Sequence, residues 1–108
     1  MTKITIYQDK QKDAVGFEMK GHAGYGESGS DIVCAAISIL ACTACNSIET
    51  YTDDTFGYEE KEEEAYMKCM LNEHACKESK LLLNSMTLGL SQLAKQYKKY
   101  LKLTFKEV

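Results

Sequence analysis

Ile4 and Ile6 alternate with Thr5 and Tyr7, and beyond a polar stretch from Asp9 to Asp13 the residues Val15, Phe17 and Met19 alternate with Gly16, Glu18 and Lys20. A period of two sends alternate side chains to opposite faces, so two half-buried strands joined as a hairpin are expected. From Ile32 to about Ile48 the chain is apolar nearly all round and rich in Ala, Ser and Cys. That pattern predicts a central helix packed closely on several sides, opened by Asp31. Thr55 to Tyr58 and Ala65 to Leu71 predict a second hairpin, with Ala65, Met67, Cys69 and Leu71 on one face and Glu59, Glu60, Glu62, Glu63 and Glu64 in a solvated turn. Leu82, Met86, Leu90, Leu93 and Tyr97 recur every three or four residues. They predict a second helix that starts between Asn72 and Ala75 and runs to about Tyr100, with Lys95, Lys98 and Lys99 complementing its C-terminal dipole. A last strand places Leu101, Leu103 and Phe105 on one face.

The order is ββαββαβ, which implies an α+β domain with a mainly antiparallel sheet covered on one face by two helices. At 108 residues the chain is expected to be one domain, residues 1–108, with a single active site. Strand order is not readable from the pattern, and no internal repeat or proline-marked linker divides the chain. The N-terminus shows no charged segment followed by an apolar one, and no unbroken apolar run is long enough to span a bilayer, so neither export nor a membrane is expected. Without an export signal the five cysteines read as reduced thiols in the cytoplasm. The net charge of -3 argues against direct nucleic-acid binding and suits a basic protein or peptide better.

The informative segment is Gly21-His22-Ala23, then a connection bearing Gly24, Gly26 and Gly29, then Asp31-Ile32-Val33-Cys34-Ala35 in the first turn of the central helix. It puts an imidazole and a thiol at the two ends of one connection. An imidazolium and a helix N-terminus both favour thiolate, and the dipole alone supplies only about 0.3 to 1 kcal/mol, which leaves most of the activation of Cys34 to His22. Asp31 suits the N-cap, accepting from a first-turn amide such as that of Cys34; the alternative is that it orients His22 as a third triad member. Free first-turn amides, or amides of the glycine-bearing connection, are candidates for an oxyanion hole. Ser38, one turn after Cys34, either hydrogen-bonds near the thiol or bonds its own backbone.

The bland readings are a packed helical cysteine and a surface histidine. Cys42-Thr43-Ala44-Cys45 is a C-x-x-C, yet it falls inside the predicted helix, whereas a redox pair needs its first cysteine exposed at a helix start. Zinc held by Cys42 and Cys45 with Cys69, His74 or Cys76 lacks the spacing of a structural site, so no metal and no cofactor are expected. His74 reads as a solvated or capping residue. The glycines lack the Lys-Ser/Thr that a phosphate loop needs after them.

The segment GHAGYGESGSDIVCAA closely resembles the signature of the ribosomal-processing cysteine protease family, Prp, through Gly21, His22, Ala23, Gly26, Gly29, Asp31, Ile32, Val33, Cys34 and Ala35. Chain length and element order are similar to that family as well. The resemblance implies a Cys34 and His22 dyad, a mobile glycine-rich loop over the substrate, and a homodimer. It implies as substrate an N-terminal extension on a large-subunit ribosomal protein, removed by hydrolysis after an aromatic residue. Two other classes compete with it: a non-catalytic ribosome-associated protein of the same fold, and a thiol metal or redox module.

Overall fold

Strand β1 (Thr2–Gln8) runs antiparallel to β2 (Ala14–Lys20) with Ile4 opposite Met19 and Ile6 opposite Phe17. The coordinates are a computed structural model that describes residues 1–27 and 29–108; Ser28 lies outside the described residues. Helix α1 (Ile32–Tyr51) leads to the hairpin of β3 (Phe56–Lys61) and β4 (Tyr66–Leu71). Helix α2 (Lys77–Gln96) and β5 (Leu101–Glu107) complete the ββαββαβ order. The sheet order is β3-β4-β2-β1-β5, antiparallel throughout except for the parallel pair of β1 and β5. This is the expected two-layer α+β fold.

The register sorts the faces. Ile4 and Ile6 line up with Met19 and Phe17 on one side and with Leu103 and Phe105 on the other, while Phe17 and Met19 oppose Cys69 and Met67. All but Phe105 pack against the helices, joined there by Val33, Ile37, Ala41, Ile48, Leu83, Met86 and Leu90 in one core cluster. The opposite face carries Lys3, Thr5, Glu18, Lys20, Tyr66 and Lys68. There Tyr66 donates its hydroxyl to Glu18 at 2.8 Å, which pushes its pKa up to about 12, and the ammonium of Lys68 lies 5.6 Å from the Tyr7 ring centre.

Several boundaries differ from the sequence expectation for identifiable reasons. α2 begins at Lys77, after Cys76 is held by Asp54 of the α1–β3 connection, which accepts from the Cys76 amide at 2.9 Å and from the Ser79 hydroxyl at 2.5 Å. It ends at Gln96: Tyr97 leaves helical geometry, and residues 97–100 form a turn closed by the Tyr100 amide on the Tyr97 carbonyl. The buried stripe of α2 is Ser79, Leu83, Met86 and Leu90, with Leu82, Leu93 and Tyr97 only half-buried; the helix packs against both α1 and the sheet. Gly89 makes that approach possible, since a Cβ there would meet the Leu40 side chain at 3.0 Å. Glu59 and Glu60 belong to β3, so only Glu62–Glu64 turn the hairpin, and Ala65 is left-handed (φ 48°) instead of the first strand residue. Phe105 is exposed on the edge strand β5, although it shares a face with buried Ile6. Finally, α1 is long and apolar enough to cross a membrane by length and composition, contrary to the expectation that no such segment exists. Here it is the core helix, its buried side formed by Val33, Ile37, Ala41, Ala44, Cys45 and Ile48.

Candidate active site

Gly21 ends β2 in a left-handed conformation (φ 88°) where a side chain would press on the Met1 carbonyl oxygen at 3.0 Å. Its amide donates to the Ala65 carbonyl at 2.9 Å, and its carbonyl accepts from the Thr2 hydroxyl at 2.9 Å. The chain thus leaves the sheet at a fixed point, immediately before His22. At the other end of the connection, Asp31 caps α1. Its Oδ1 accepts from the amides of Val33 (2.9 Å) and Cys34 (3.0 Å), and its Oδ2 accepts from those of Tyr25 (2.9 Å) and Gly26 (3.1 Å). These bonds, that from Cys34 first, hold the Asp31 carboxyl below the usual carboxylate range. One buried side chain therefore ties the glycine-bearing connection to the helix that carries the thiol.

Cys34 sits in the first turn of α1, half-buried, and its Sγ accepts a hydrogen bond from the Ala23 amide at 3.2 Å. His22 is exposed and lines the same cavity of about 570 Å³. No hydrogen bond joins ring and sulfur among the described residues; what touches the sulfur is the amide of the residue after the histidine. The cavity runs between α1 and the β4 side of the sheet. Met19, Met67, Ile37 and Ala41 give it an apolar floor, and Glu60 and Glu62 stand on its wall.

The sequence-predicted residues Gly21, His22, Gly26, Gly29, Asp31, Cys34 and Ser38 all line this cavity, and Ala23 contributes its amide. Ser38 is exposed on the wall one turn beyond Cys34. Asp31 takes the capping role; both its oxygens are occupied by backbone amides, so it does not orient His22. The first-turn amides offered for an oxyanion are engaged, since those of Val33 and Cys34, like those of Tyr25 and Gly26, bond to the Asp31 carboxylate and the Ala35 amide donates to the Asp31 carbonyl; the glycine-bearing connection still offers the Ala23 amide. The Ala23 amide is the donor aimed at the Cys34 sulfur. Sequence reasoning also missed Glu60 and Glu62 as cavity residues, because alternation in β3 was hidden by the glutamate run.

The other thiols lie elsewhere. Cys42 is exposed in the middle of α1, whereas Cys45 is buried beside Cys69, and that neighbour together with burial holds the Cys69 thiol far above its ordinary range. Cys76 sits at the start of α2 near Ser79 and Asp54, and His74 is exposed in the preceding turn. Among the described residues no three His, Cys, Asp or Glu side chains are grouped to hold a metal ion.

A thiol at a helix start, fed by an amide and sharing a peptide-sized cleft with an imidazole, defines a cysteine protease. Residues 1–102 match the model of one such family, cysteine protease Prp, and the chain belongs to that family. It is 28% identical to the ribosomal processing cysteine protease Prp of Bacillus subtilis strain 168, with 96% of each chain covered. It is also 28% identical to that of Staphylococcus aureus strain Mu50, with 98% of this chain and 100% of the relative covered. The fold superimposes with a TM-score of 0.92 on the essential ribosomal processing protease Prp of S. aureus in complex with a covalently linked product peptide, at 24% identity over 98% of this chain and 100% of that one. A Streptococcus mutans protein gives a TM-score of 0.87 at 30% identity, covering 100% of this chain and 96% of its own.

Proposed function

We propose that this cysteine protease removes the N-terminal extension of a large-subunit ribosomal protein, with Cys34 as nucleophile and His22 as general base. The observation that carries the assignment is the sulfur of Cys34, held by the Ala23 amide at 3.2 Å in the cavity that His22 also lines. Relatives from B. subtilis and S. aureus are named as ribosomal processing proteases, and S. aureus structures hold a substrate peptide and a covalently linked product peptide. In the reaction His22 takes the thiol proton, Sγ attacks the scissile carbonyl, and a thioester forms as the protonated imidazole gives its proton to the leaving amine. Water, deprotonated by His22, then releases the new carboxylate. When Sγ bonds to carbon, the Ala23 amide is free to serve the adjacent oxyanion.

The apolar floor of Met19, Met67 and Ile37 suits an aromatic residue before the scissile bond. The connection from Ala23 to Ser30 closes over the peptide in this reading, helped by left-handed Gly24 and Gly29, which leave the backbone in conformations other residues rarely adopt. The protein acts in the cytoplasm as a homodimer. Exposed Ile32 and Ile39 on α1 (56% and 63%) offer an apolar surface to a second copy. Incubating ribosomal proteins with wild-type and Cys34→Ala protein, followed by mass spectrometry, tests the function: loss of one N-terminal peptide with wild type alone is expected. A ribosome-bound protein that trims nothing would instead be the non-catalytic relative. Sedimentation equilibrium of wild type and Ile39→Glu tests the dimer.

A further inference from the structure

Tyr25 is nearly half exposed (45%), yet its ring is clasped from two sides. Its centroid lies 5.1 Å from that of Tyr100 with the planes at 76°, and 5.5 Å from that of Tyr97 at 85°. Both are edge-to-face contacts, the geometry in which aromatic quadrupoles attract. Among the described residues the Tyr25 hydroxyl has no hydrogen-bond partner, so the ring and not the oxygen makes the contact. Tyr97 and Tyr100 belong to the turn between α2 and β5, and that turn is itself fixed. The Thr2 amide donates to the Tyr100 carbonyl at 2.9 Å, and the Thr2 hydroxyl donates to Gly21 at 2.9 Å. A closed circuit results: Gly21 to Thr2 to Tyr100 to Tyr25, and back along the chain through Gly24, Ala23 and His22. The histidine and the amide on the Cys34 sulfur are bracketed at both ends by one turn of the chain some 75 residues away in sequence.

We infer that Tyr25 is a positioning residue for the protease reaction, its ring held by Tyr97 and Tyr100 so that the Ala23 amide stays on the Cys34 sulfur and His22 stays at the cavity. The inference rests on the proposed role of Cys34. Three glycines at positions 21, 24 and 29 adopt left-handed backbone angles, and glycine costs more entropy to order than any other residue. Such a connection needs anchors besides Asp31. Asp31 fixes the amides of Tyr25 and Gly26, and the two rings of Tyr97 and Tyr100 hold the side chain of Tyr25. Removing the ring leaves the Asp31 bonds in place but frees the segment to swing about them, carrying the Ala23 amide off the sulfur.

Alkylation of Cys34 by iodoacetamide at pH 7, followed by peptide mass spectrometry, reads this without any substrate. Tyr25→Ala is expected to slow it about tenfold, and Tyr25→Phe to keep the wild-type rate within about twofold, since the ring contacts survive. Tyr100→Ala is expected to slow it as well, and the double variant Tyr25→Ala with Tyr100→Ala to be no slower than Tyr25→Ala alone, because both remove the same contact. With a cleavable peptide, Tyr25→Ala lowers kcat more than it raises KM. A wild-type alkylation rate in Tyr25→Ala, a Phe variant as slow as the Ala one, or full additivity in the double variant each overturns the inference. Should Tyr25→Ala lose its fold, Tyr100→Ala and Tyr25→Phe carry the same test. Ordered alkylation rates in a protein that cleaves no peptide would keep the clasp and defeat the protease reading, so the two failures are distinct.

Discussion

Asp31 and Tyr25 are joined by a 2.9 Å hydrogen bond from the Tyr25 amide to Oδ2, while the other carboxylate oxygen caps the helix that carries Cys34. An amide side chain cannot accept at both positions, because its nitrogen is a donor. Asp31→Asn therefore keeps either the cap or the loop contact. Turnover is expected to fall by about tenfold or more, since small misplacements of reacting groups cost that much. Melting temperature should fall too. Steady-state assays beside thermal unfolding check both.

Cys34 should react with iodoacetamide at pH 7 faster than Cys42, although Cys42 is the more exposed of the two. Accessibility alone predicts the reverse order. The amide on its sulfur and its place in the first turn of α1 favour Cys34. Cys45 and Cys69, both buried, should be slowest. His22→Ala should cut turnover by about 10²- to 10⁴-fold with the fold retained, the usual contribution of a general base. Site-resolved alkylation and peptide assays of this variant give the readings.

Gly29 and Gly26 differ although both belong to the same signature. Gly29 has φ 89°, where a side chain costs about 1 to 2 kcal/mol, whereas Gly26 is not left-handed and a Cβ there would meet its nearest neighbour at an ordinary 3.6 Å. Gly29→Ala should lower stability and turnover, and Gly26→Ala should be nearly neutral. Denaturant unfolding of the two single variants decides it.

Acid should destabilise this fold through three aspartates. Asp9 is held below the usual carboxylate range by the Lys80 ammonium at 2.9 Å, Asp54 by the Cys76 and Ser79 side chains and the Cys76 amide, and Asp31 by its four amides. A carboxyl with a depressed folded pKa binds protons more tightly in the unfolded chain. Its stabilisation is complete above the unfolded value of about 3.9 and is lost as pH falls through the lower folded value. Urea midpoints should hold from pH 7 to about 5 and then drop below pH 4. Asp9→Asn should flatten the drop.

Much of this was legible from pattern. The alternation in residues 4–19, the apolar run after Asp31 and the heptad-like stripe of α2 each follow from one local period, and the elements stand where those periods put them. That His22 and Cys34 line one cavity also follows from pattern, because they and the glycines lie in one contiguous stretch. What failed to show were relations between distant segments. The start of α2 is held by Asp54 across more than twenty residues, and the parallel pairing of β1 with β5 has no signal in either strand. The bonding of the helix-start amides was hidden for a similar reason: they look free in sequence, and it is the fold that brings the Asp31 carboxylate onto them together with the amides of Tyr25 and Gly26.

The parallel pairing of β1 and β5 sets an order of assembly. Thr2, first residue of β1, bonds to the Tyr100 carbonyl through its amide and to Gly21 through its hydroxyl, so the segment before His22 is braced by a part of the chain synthesised much later than itself. Chain emerging from a ribosome holds β1, β2 and α1 long before β5 exists to close the sheet. Contacts of such long sequence separation form late and slow folding. A nascent chain would thus carry Cys34 without its finished surroundings, and the site would be complete only once β5 has emerged and closed the sheet.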